Sequence, residues 1–345
     1  TALGSAVRDA LSERGFETPT EPQARAIPPL ARGRDALVIA PTGSGKTETA
    51  MLPVLDSLAG ERRFGIGALY VTPLRALNRD MRERLDWWGD QLDLAIDVRH
   101  GDTTDYQRQQ QANDPPDVLV TTPETLQAML TGEKLRRALS DVEHVVVDEV
   151  HELATSKRGA QLTIGLERLR ELAGPFQRVG LSATVGDPGE VGRFLTGDRG
   201  CATVEIDVGS ALEVAVRSPT VTEEDERIAR ELVTDPDIAS HVRVIDDIVS
   251  DNDGTLIFVN TRQTAEALGS RLKEYGTDIG IHHGSLARDA RVEVESAFKN
   301  GELSGLLCTS SMELGIDVGH VDHVIQYNSP RQVSRLLQRV GRARS

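Results

Sequence analysis

At 345 residues and 39% hydrophobic content, the chain is too long for one small core and suggests about two domains, while its strand-sized apolar runs exclude a membrane span. Thr1 opens no signal peptide, so a cytoplasmic location is expected, and Cys201 and Cys308 alone exclude a disulfide framework or a four-cysteine zinc or iron–sulfur centre. A net charge of −15 argues against a broad basic footprint for nucleic acid, and the few lysines (Lys46, Lys134, Lys157, Lys273, Lys299) fit either a halophilic surface or an acidic protein from an arginine-favouring genome.

Residues Ala2 to Leu11 read as a short helix, followed by Gly15-Phe16-Glu17-Thr18-Pro19-Thr20-Glu21-Pro22-Gln23. Gln23 could read an adenine edge through its amide, or could simply start a helix after a proline turn. The apolar run Ala36–Ile39 then leads into Ala40-Pro41-Thr42-Gly43-Ser44-Gly45-Lys46-Thr47 and a helical pattern from Glu48 to Leu58. Strand, glycine-bearing loop and helix form a phosphate cradle: Thr42, Gly43, Ser44 and Gly45 offer backbone amides, Lys46 reaches the β- and γ-phosphates, and the Thr47 hydroxyl ligates Mg²⁺. The first glycine of the usual pattern is Ala40 here, and Pro53 is expected to kink the helix.

Strand Ala68–Val71 runs into Thr72-Pro73-Leu74-Arg75, where Arg75 lies off the apolar stripe of Leu74, Leu77, Met81, Leu85 and Trp88. Its place at a strand C-terminus is where α/β sheets bind ligands. An alternating run Leu94–Arg99 and the loop His100-Gly101-Asp102-Thr103 precede strand Val118–Val120 and Thr121-Thr122-Pro123-Glu124. Thr122 and Glu124 read as part of a track for a phosphate strand, although Glu124 could be an ordinary first-turn acid.

The run Val145-Val146-Val147 ends in Asp148-Glu149-Val150-His151, a hydrophobic strand delivering adjacent carboxylates. Asp148 suits a metal ion and Glu149 an attacking water. A zinc protease is rejected, because no second histidine follows His151-Glu152 at helical spacing. Helix Gly159–Leu172 and strand Arg178–Leu181 lead to Ser182-Ala183-Thr184, small hydroxyl residues able to relay position between the carboxylates and a second surface.

Between Gly197 and Asp253 motif density falls, and residues 210–240 read as an inter-domain joint between a first domain at 1–209 and a second at 241–345. The second domain repeats the α/β alternation: strands Leu256–Val259, Ile279–His282, Leu306–Cys308 and Val324–Gln326, with helices Thr261–Tyr275, Ala287–Asn300 and Arg331–Val340. It lacks a phosphate loop but carries Asn260-Thr261-Arg262, His282-His283-Gly284-Ser285, Thr309 to Asp317, and Gln338-Arg339-Val340-Gly341-Arg342-Ala343. The final arginines could be a solvated face; a glycine between Arg339 and Arg342 instead favours Arg342 as a finger on the γ-phosphate.

In this order the stretches resemble the motor core of a superfamily 2 helicase. Ala40 to Thr47 resembles motif I, Pro73 to Leu77 motif Ia, Thr122-Pro123-Glu124 motif Ib, Asp148 to His151 motif II in its DExH form, Ser182-Ala183-Thr184 motif III, the stretch around Asn260 motif IV, Ser310 to Asp317 motif V and Gln338 to Ala343 motif VI. Asp148 to Leu153, His282 to Leu286 and Ser311 to Asp317 are most similar to the large helicase-related (Lhr) family, though Ski2-like helicases share several of these strings, and the acidic composition suggests a haloarchaeal member.

The resemblance implies two tandem RecA-like domains, each a mainly parallel sheet flanked by helices. It also implies ATP and Mg²⁺ as cofactors, with 3′→5′ movement on single-stranded DNA and unwinding of duplex or DNA–RNA hybrid; RNA remains an alternative partner. Gln23 would read adenine, Lys46 and Thr47 would hold phosphates and metal, and Asp148 and Glu149 would serve metal and water. From the second domain Gln338 and Arg342 would complete the site, with Asp317 on the ribose. The strand would lie on Arg75, Thr122, Glu124, Asn260, Thr261, Arg262 and Thr309, held by backbone contacts because aromatics are only 3%. The family continues past Arg342-Ala343 with Gly and then His or Arg, where Arg344-Ser345 stands here, and further C-terminal domains are expected to be absent. A double-strand translocase and a non-catalytic clamp are the rival readings.

Overall fold

The computed structural model describes residues 2–16, 18–41, 44–60, 63–73, 79–154, 156–183, 185–206, 213–309, 312, 320–331 and 333–341. The chain divides into two units, Thr1–Val208 and Gly209–Ser345.

The first unit is built on seven parallel strands: β1 (Ala36–Ile39), β2 (Ala68–Val71), β3 (Ile96–Arg99), β4 (Val118–Thr121), β5 (His144–Val147), β6 (Gln177–Ser182) and β7 (Ala202–Glu205). They lie in the order β3-β4-β2-β5-β6-β1-β7. Strands β1, β2, β4 and β5 are buried at every residue, because helices cover both faces of a parallel sheet. Successive residues divide between two cores: Ala36, Val38, Tyr70 and Val146 face one, and Leu37, Ile39, Leu69, Val71, Val145 and Val147 the other.

The first core is covered by α1 (Ser5–Glu13), α2 (Glu21–Leu30), α3 (Lys46–Leu58) and α4 (Arg79–Leu92). After α5 (Asp105–Asn113), the second is covered by α6 (Pro123–Met129), α7 (Glu133–Ala138), α8 (Val150–Ala154), α9 (Lys157–Ala173) and α10 (Pro188–Thr196). Helix α3 starts at Lys46 and runs on through Pro53 to Leu58, so the expected interruption does not end it.

The second unit carries a parallel sheet of β8 (Thr255–Phe258), β9 (Ile279–His282), β10 (Gly305–Cys308) and β11 (His323–Gln326) in the order β11-β8-β10-β9. Its helices are α11 (Glu223–Glu231), α12 (Pro236–Ser250), α13 (Arg262–Tyr275), α14 (Arg288–Lys299) and α15 (Val333–Val340).

Much of the segment expected as a joint belongs to this unit. Ile228, Ala229 and Leu232 of α11 and its C-cap share a core with α12, α13, Ile257 and Leu307. Asp225 explains the placement: it is buried, closes a capping box with Thr222, and accepts from Arg243 Nε at 2.8 Å and Nη2 at 3.1 Å. The acidic stretch at Thr222–Glu226 is the start of α11. Among the described residues, no helix is long and apolar enough to cross a membrane.

Candidate nucleotide and nucleic-acid sites

The phosphate-loop sequence sits at the C-terminal end of β1, where the backbone turns into α3. Gly45 makes the turn in the left-handed region (φ 82°), and Ser44 Oγ donates to the Pro41 carbonyl at 2.7 Å. Lys46 is the first helical residue and only 8% exposed, yet its Nζ has no hydrogen-bond partner among the described residues. A buried ammonium without a partner is costly, so the pocket is complementary to an anion. Thr42 and Gly43 lie outside the described residues.

Gln23 takes the helix-start role and also lies against the phosphate loop. At the third position of α2, its Oε1 accepts from the Thr20 amide at 3.0 Å, the helix-start role. A Cβ on Gly45 would stand 2.8 Å from Gln23 Nε2, so the same amide lies against the phosphate loop. Thr20 Oγ1 fastens the two by donating to the Ser44 carbonyl at 3.0 Å.

The carboxylates stand beyond β5. Asp148 Oδ1 accepts from the Glu149 amide at 2.9 Å and Oδ2 from the Tyr70 hydroxyl at 2.7 Å. Tyr70 is the residue that sequence reasoning missed. Because Tyr70 pairs in register with Val146, it shares a sheet face with Asp148, two residues further along β5's path. Burial, followed by the Asp148 charge, raises the Tyr70 phenol well above its ordinary range; Thr47 also hydrogen-bonds it. Glu149 adopts φ 45°, a left-handed conformation that a non-glycine residue holds only under constraint from its surroundings.

Burial and the neighbouring Glu149 charge push the Asp148 carboxyl up to about 6, against the opposing effects of the Tyr70 hydrogen bond and Lys46. Glu149 is also buried, and its Oε2 has no hydrogen-bond partner among the described residues. His151 Nδ1 lies 3.6 Å from that oxygen and 3.0 Å from Ser182 Oγ. Burial, then the Lys46 charge, lowers His151 to about 4, leaving it neutral at pH 7. Ser182 thus touches the motif II stretch through His151, and Thr184 lies outside the described residues.

Hard oxygen donors beside an unsatisfied ammonium fit a divalent cation shared with a polyphosphate. No group of three or more His, Cys, Asp or Glu that could hold a metal exists among the described residues. The oxygen donors of Asp148 and Thr47 suit Mg²⁺, which keeps waters and takes one or two protein ligands beside substrate phosphates, and these two would hold it.

On the nucleic-acid side, Thr122 is buried and caps α6: its Oγ1 accepts from the Thr125 amide at 3.3 Å and pairs with Thr125 Oγ1 at 3.0 Å. Glu124 accepts from Arg158, whose hydrogen bond holds the carboxyl below its usual range. Both side chains are therefore engaged within the fold. Arg75 lies outside the described residues.

In the second unit Thr261 likewise caps a helix, accepting from the Thr264 amide at 3.1 Å. Asn260 Nδ2 donates to the Ser329 carbonyl at 2.9 Å. Arg262 is exposed and donates to Ser285 Oγ at 3.1 Å, and Thr309 follows β10. Asp317 and Arg342, and the side chain of Gln338, lie outside the described residues.

Arg339 corrects the solvated-face reading. It is 1% exposed, with Nη1 donating to Gln326 Oε1 at 2.7 Å and Asn260 Oδ1 at 3.3 Å, and its guanidinium stacks over Phe258 at 5.1 Å. The available signal was spacing, since Arg339 lies three residues after Leu336 and beside Val340.

The DEAD/DEAH box helicase family matches residues 20–191, and the helicase conserved C-terminal domain family matches 240–345. The ATP-dependent helicase Lhr-Core of Methanothermobacter thermautotrophicus is 40% identical over 360 aligned positions, covering 96% of this chain and 41% of the relative. The Lhr helicase/uracil glycosylase of Escherichia coli is 36% identical, covering 96% of this chain and 26% of the relative. The structure of Mycobacterium smegmatis helicase Lhr bound to ssDNA and AMP-PNP superposes with a TM-score of 0.80 at 38% identity, over 99% of this chain and 46% of that one. The chain therefore spans less than half the length of these relatives, and its two parallel sheets flanked by helices have the tandem RecA-like fold. On these matches the chain belongs to the superfamily 2 helicases of the DEAD/DEAH-box kind and is, within them, Lhr-like.

Proposed function

We propose that this chain is the motor core of an ATP-dependent helicase that moves 3′→5′ on single-stranded DNA and unwinds duplex DNA or DNA–RNA hybrid. The observation that carries the ATPase is one buried constellation: Lys46 Nζ and Glu149 Oε2, both without hydrogen-bond partners among the described residues, beside an Asp148 already hydrogen-bonded on both oxygens. Lys46 holds the β- and γ-phosphates, and Gln23 the adenine edge. Mg²⁺, when bound, neutralises phosphate charge. Thr47 and Asp148 would hold it, and Glu149 orients the attacking water and accepts its proton.

By the same family resemblance Gln338 and Arg342 serve the phosphates and Asp317 the ribose. Support for the substrate comes from the Mycobacterium smegmatis Lhr structure, described as bound to ssDNA and AMP-PNP. A narrow track on an acidic body is compatible with the net charge of −15, which self-repels less in salt.

Steady-state ATPase activity with and without single-stranded DNA, single-stranded RNA and duplex, across a KCl series, tests the reading. Stimulation by single-stranded DNA that persists at high salt is expected. Hydrolysis indifferent to every nucleic acid would leave the ATPase and remove the track.

A further inference from the structure

Arg158 opens the first turn of α9, and its guanidinium bridges two turns far apart in sequence. Nε donates to Glu124 Oε1 at 2.5 Å and Nη2 to Glu124 Oε2 at 3.1 Å, a two-pronged grip on the carboxylate. Nη2 also donates to the Pro73 carbonyl at 2.9 Å. Glu124 follows β4 and Pro73 follows β2, and these strands are neighbours in the sheet. One side chain therefore ties Pro73, at the end of β2, to the turn that carries Thr122 and Glu124.

The position of Arg158 is itself fixed. Ser156 caps α9 by accepting from the Gly159 amide at 3.2 Å. A Cβ on Gly159 would stand 1.9 Å from the Leu153 carbonyl oxygen, so only glycine lets this turn press against α8. Helix α8 begins directly after Asp148-Glu149, so the short segment bearing Arg158 starts at the proposed ATPase carboxylates.

Stability of the fold is a weak explanation for this grip. Both partners are partly exposed, at 39% for the Arg158 side chain and 46% for Glu124, and exposed ion pairs contribute little to folding. The arrangement is specific in another way. A planar fork is needed to hold two carboxylate oxygens and a carbonyl at once, which an ammonium cannot do. It also neutralises a carboxylate that would otherwise repel a phosphate strand.

We propose that Arg158 is a positioning residue of the single-strand track, setting the spacing of the turns after β2 and β4 without itself touching a phosphate. This rests on the reading of that face as the track.

The test uses the full chain and a labelled single-stranded oligothymidine, with binding followed by anisotropy across a KCl series. Arg158→Gln is expected to weaken binding about tenfold while the slope of log affinity against log salt stays that of the unmodified chain. A lost phosphate contact would instead reduce that slope by about one. Arg158→Lys is expected to recover only part of the loss. Glu124→Gln is expected to weaken binding too, and the double variant to be no weaker than Arg158→Gln, because the two act as a unit.

Unchanged affinity in Arg158→Gln overturns the proposal, as does a slope lowered by about one. Tighter binding by Glu124→Gln also overturns it, since that would make Glu124 a block over a phosphate-seeking arginine. Failure of the unmodified chain to bind at all would remove the track reading first, and this one with it.

Discussion

The Tyr70 hydroxyl donates to Asp148 Oδ2 at 2.7 Å from inside the core shared by α3 and the sheet, and Tyr70 is fully buried. With the Glu149 amide on Oδ1, both carboxylate oxygens are held by donors of the protein itself. A hydrogen bond to a charged group contributes about 1.5–3 kcal/mol. Tyr70→Phe keeps the ring and removes only the donor, so it is expected to lower kcat/KM for ATP roughly tenfold and to raise the Mg²⁺ concentration needed for half-maximal rate. Steady-state kinetics across a Mg²⁺ series would check this; wild-type values throughout would reduce Tyr70 to core packing.

Glu149→Gln keeps the side chain's volume but removes the base. Turnover is expected to fall by at least about 100-fold, within the range assigned to general-base catalysis, while a fluorescent ATP analogue still binds. Near-normal turnover would move the base elsewhere. Lys46→Ala is expected to lose nucleotide affinity as well, because its Nζ is the buried cation with no protein partner among the described residues.

Strands and phosphate loop were legible in the sequence because their signals are local. Strands β1, β4 and β5 are buried on both faces and therefore read as continuous apolar runs ending in Thr, Asp or the glycine loop. What stayed hidden depends on long-range pairing. Tyr70 resembles any strand aromatic until the β2–β5 register brings it to Asp148, 78 positions away. Arg158 and Glu124 are 34 positions apart, and each alone looks like a solvated charge on a helix. Thr122 and Thr261 carry a second, local role that the motif reading did not use: a hydroxyl before a helix is a cap by local chemistry.

Arg339 gives a stability prediction for the second unit. Its guanidinium is buried over Phe258 and hydrogen-bonded to two side-chain amide oxygens. Replacing it with Ala leaves the Gln326 and Asn260 acceptors without this donor and opens a void. A loss of roughly 2–4 kcal/mol is expected, visible as a lower denaturant midpoint. A shift under about 0.5 kcal/mol, typical of a surface substitution, would contradict the burial.

Asp225 gives a pH prediction for the same unit. The Arg243 hydrogen bonds, opposed by burial and helped by Thr222, hold its carboxyl down to about 2. A carboxylate depressed in the folded state contributes stability above its unfolded value of about 3.9 and loses it as pH falls toward 2. Over that window the unmodified chain should lose about 2 kcal/mol that Asp225→Asn, already without the charge, cannot lose. Asp225→Asn should therefore be the less stable protein at pH 7, because it breaks the Arg243 fork and weakens the start of α11. The gap between the two should narrow as pH falls from about 4 to 2, which urea melts at a series of pH values would read. A gap constant across that range would mean that the fork contributes hydrogen bonds but no titrating charge, and α11 would then owe its place to Ile228 and Ala229 instead.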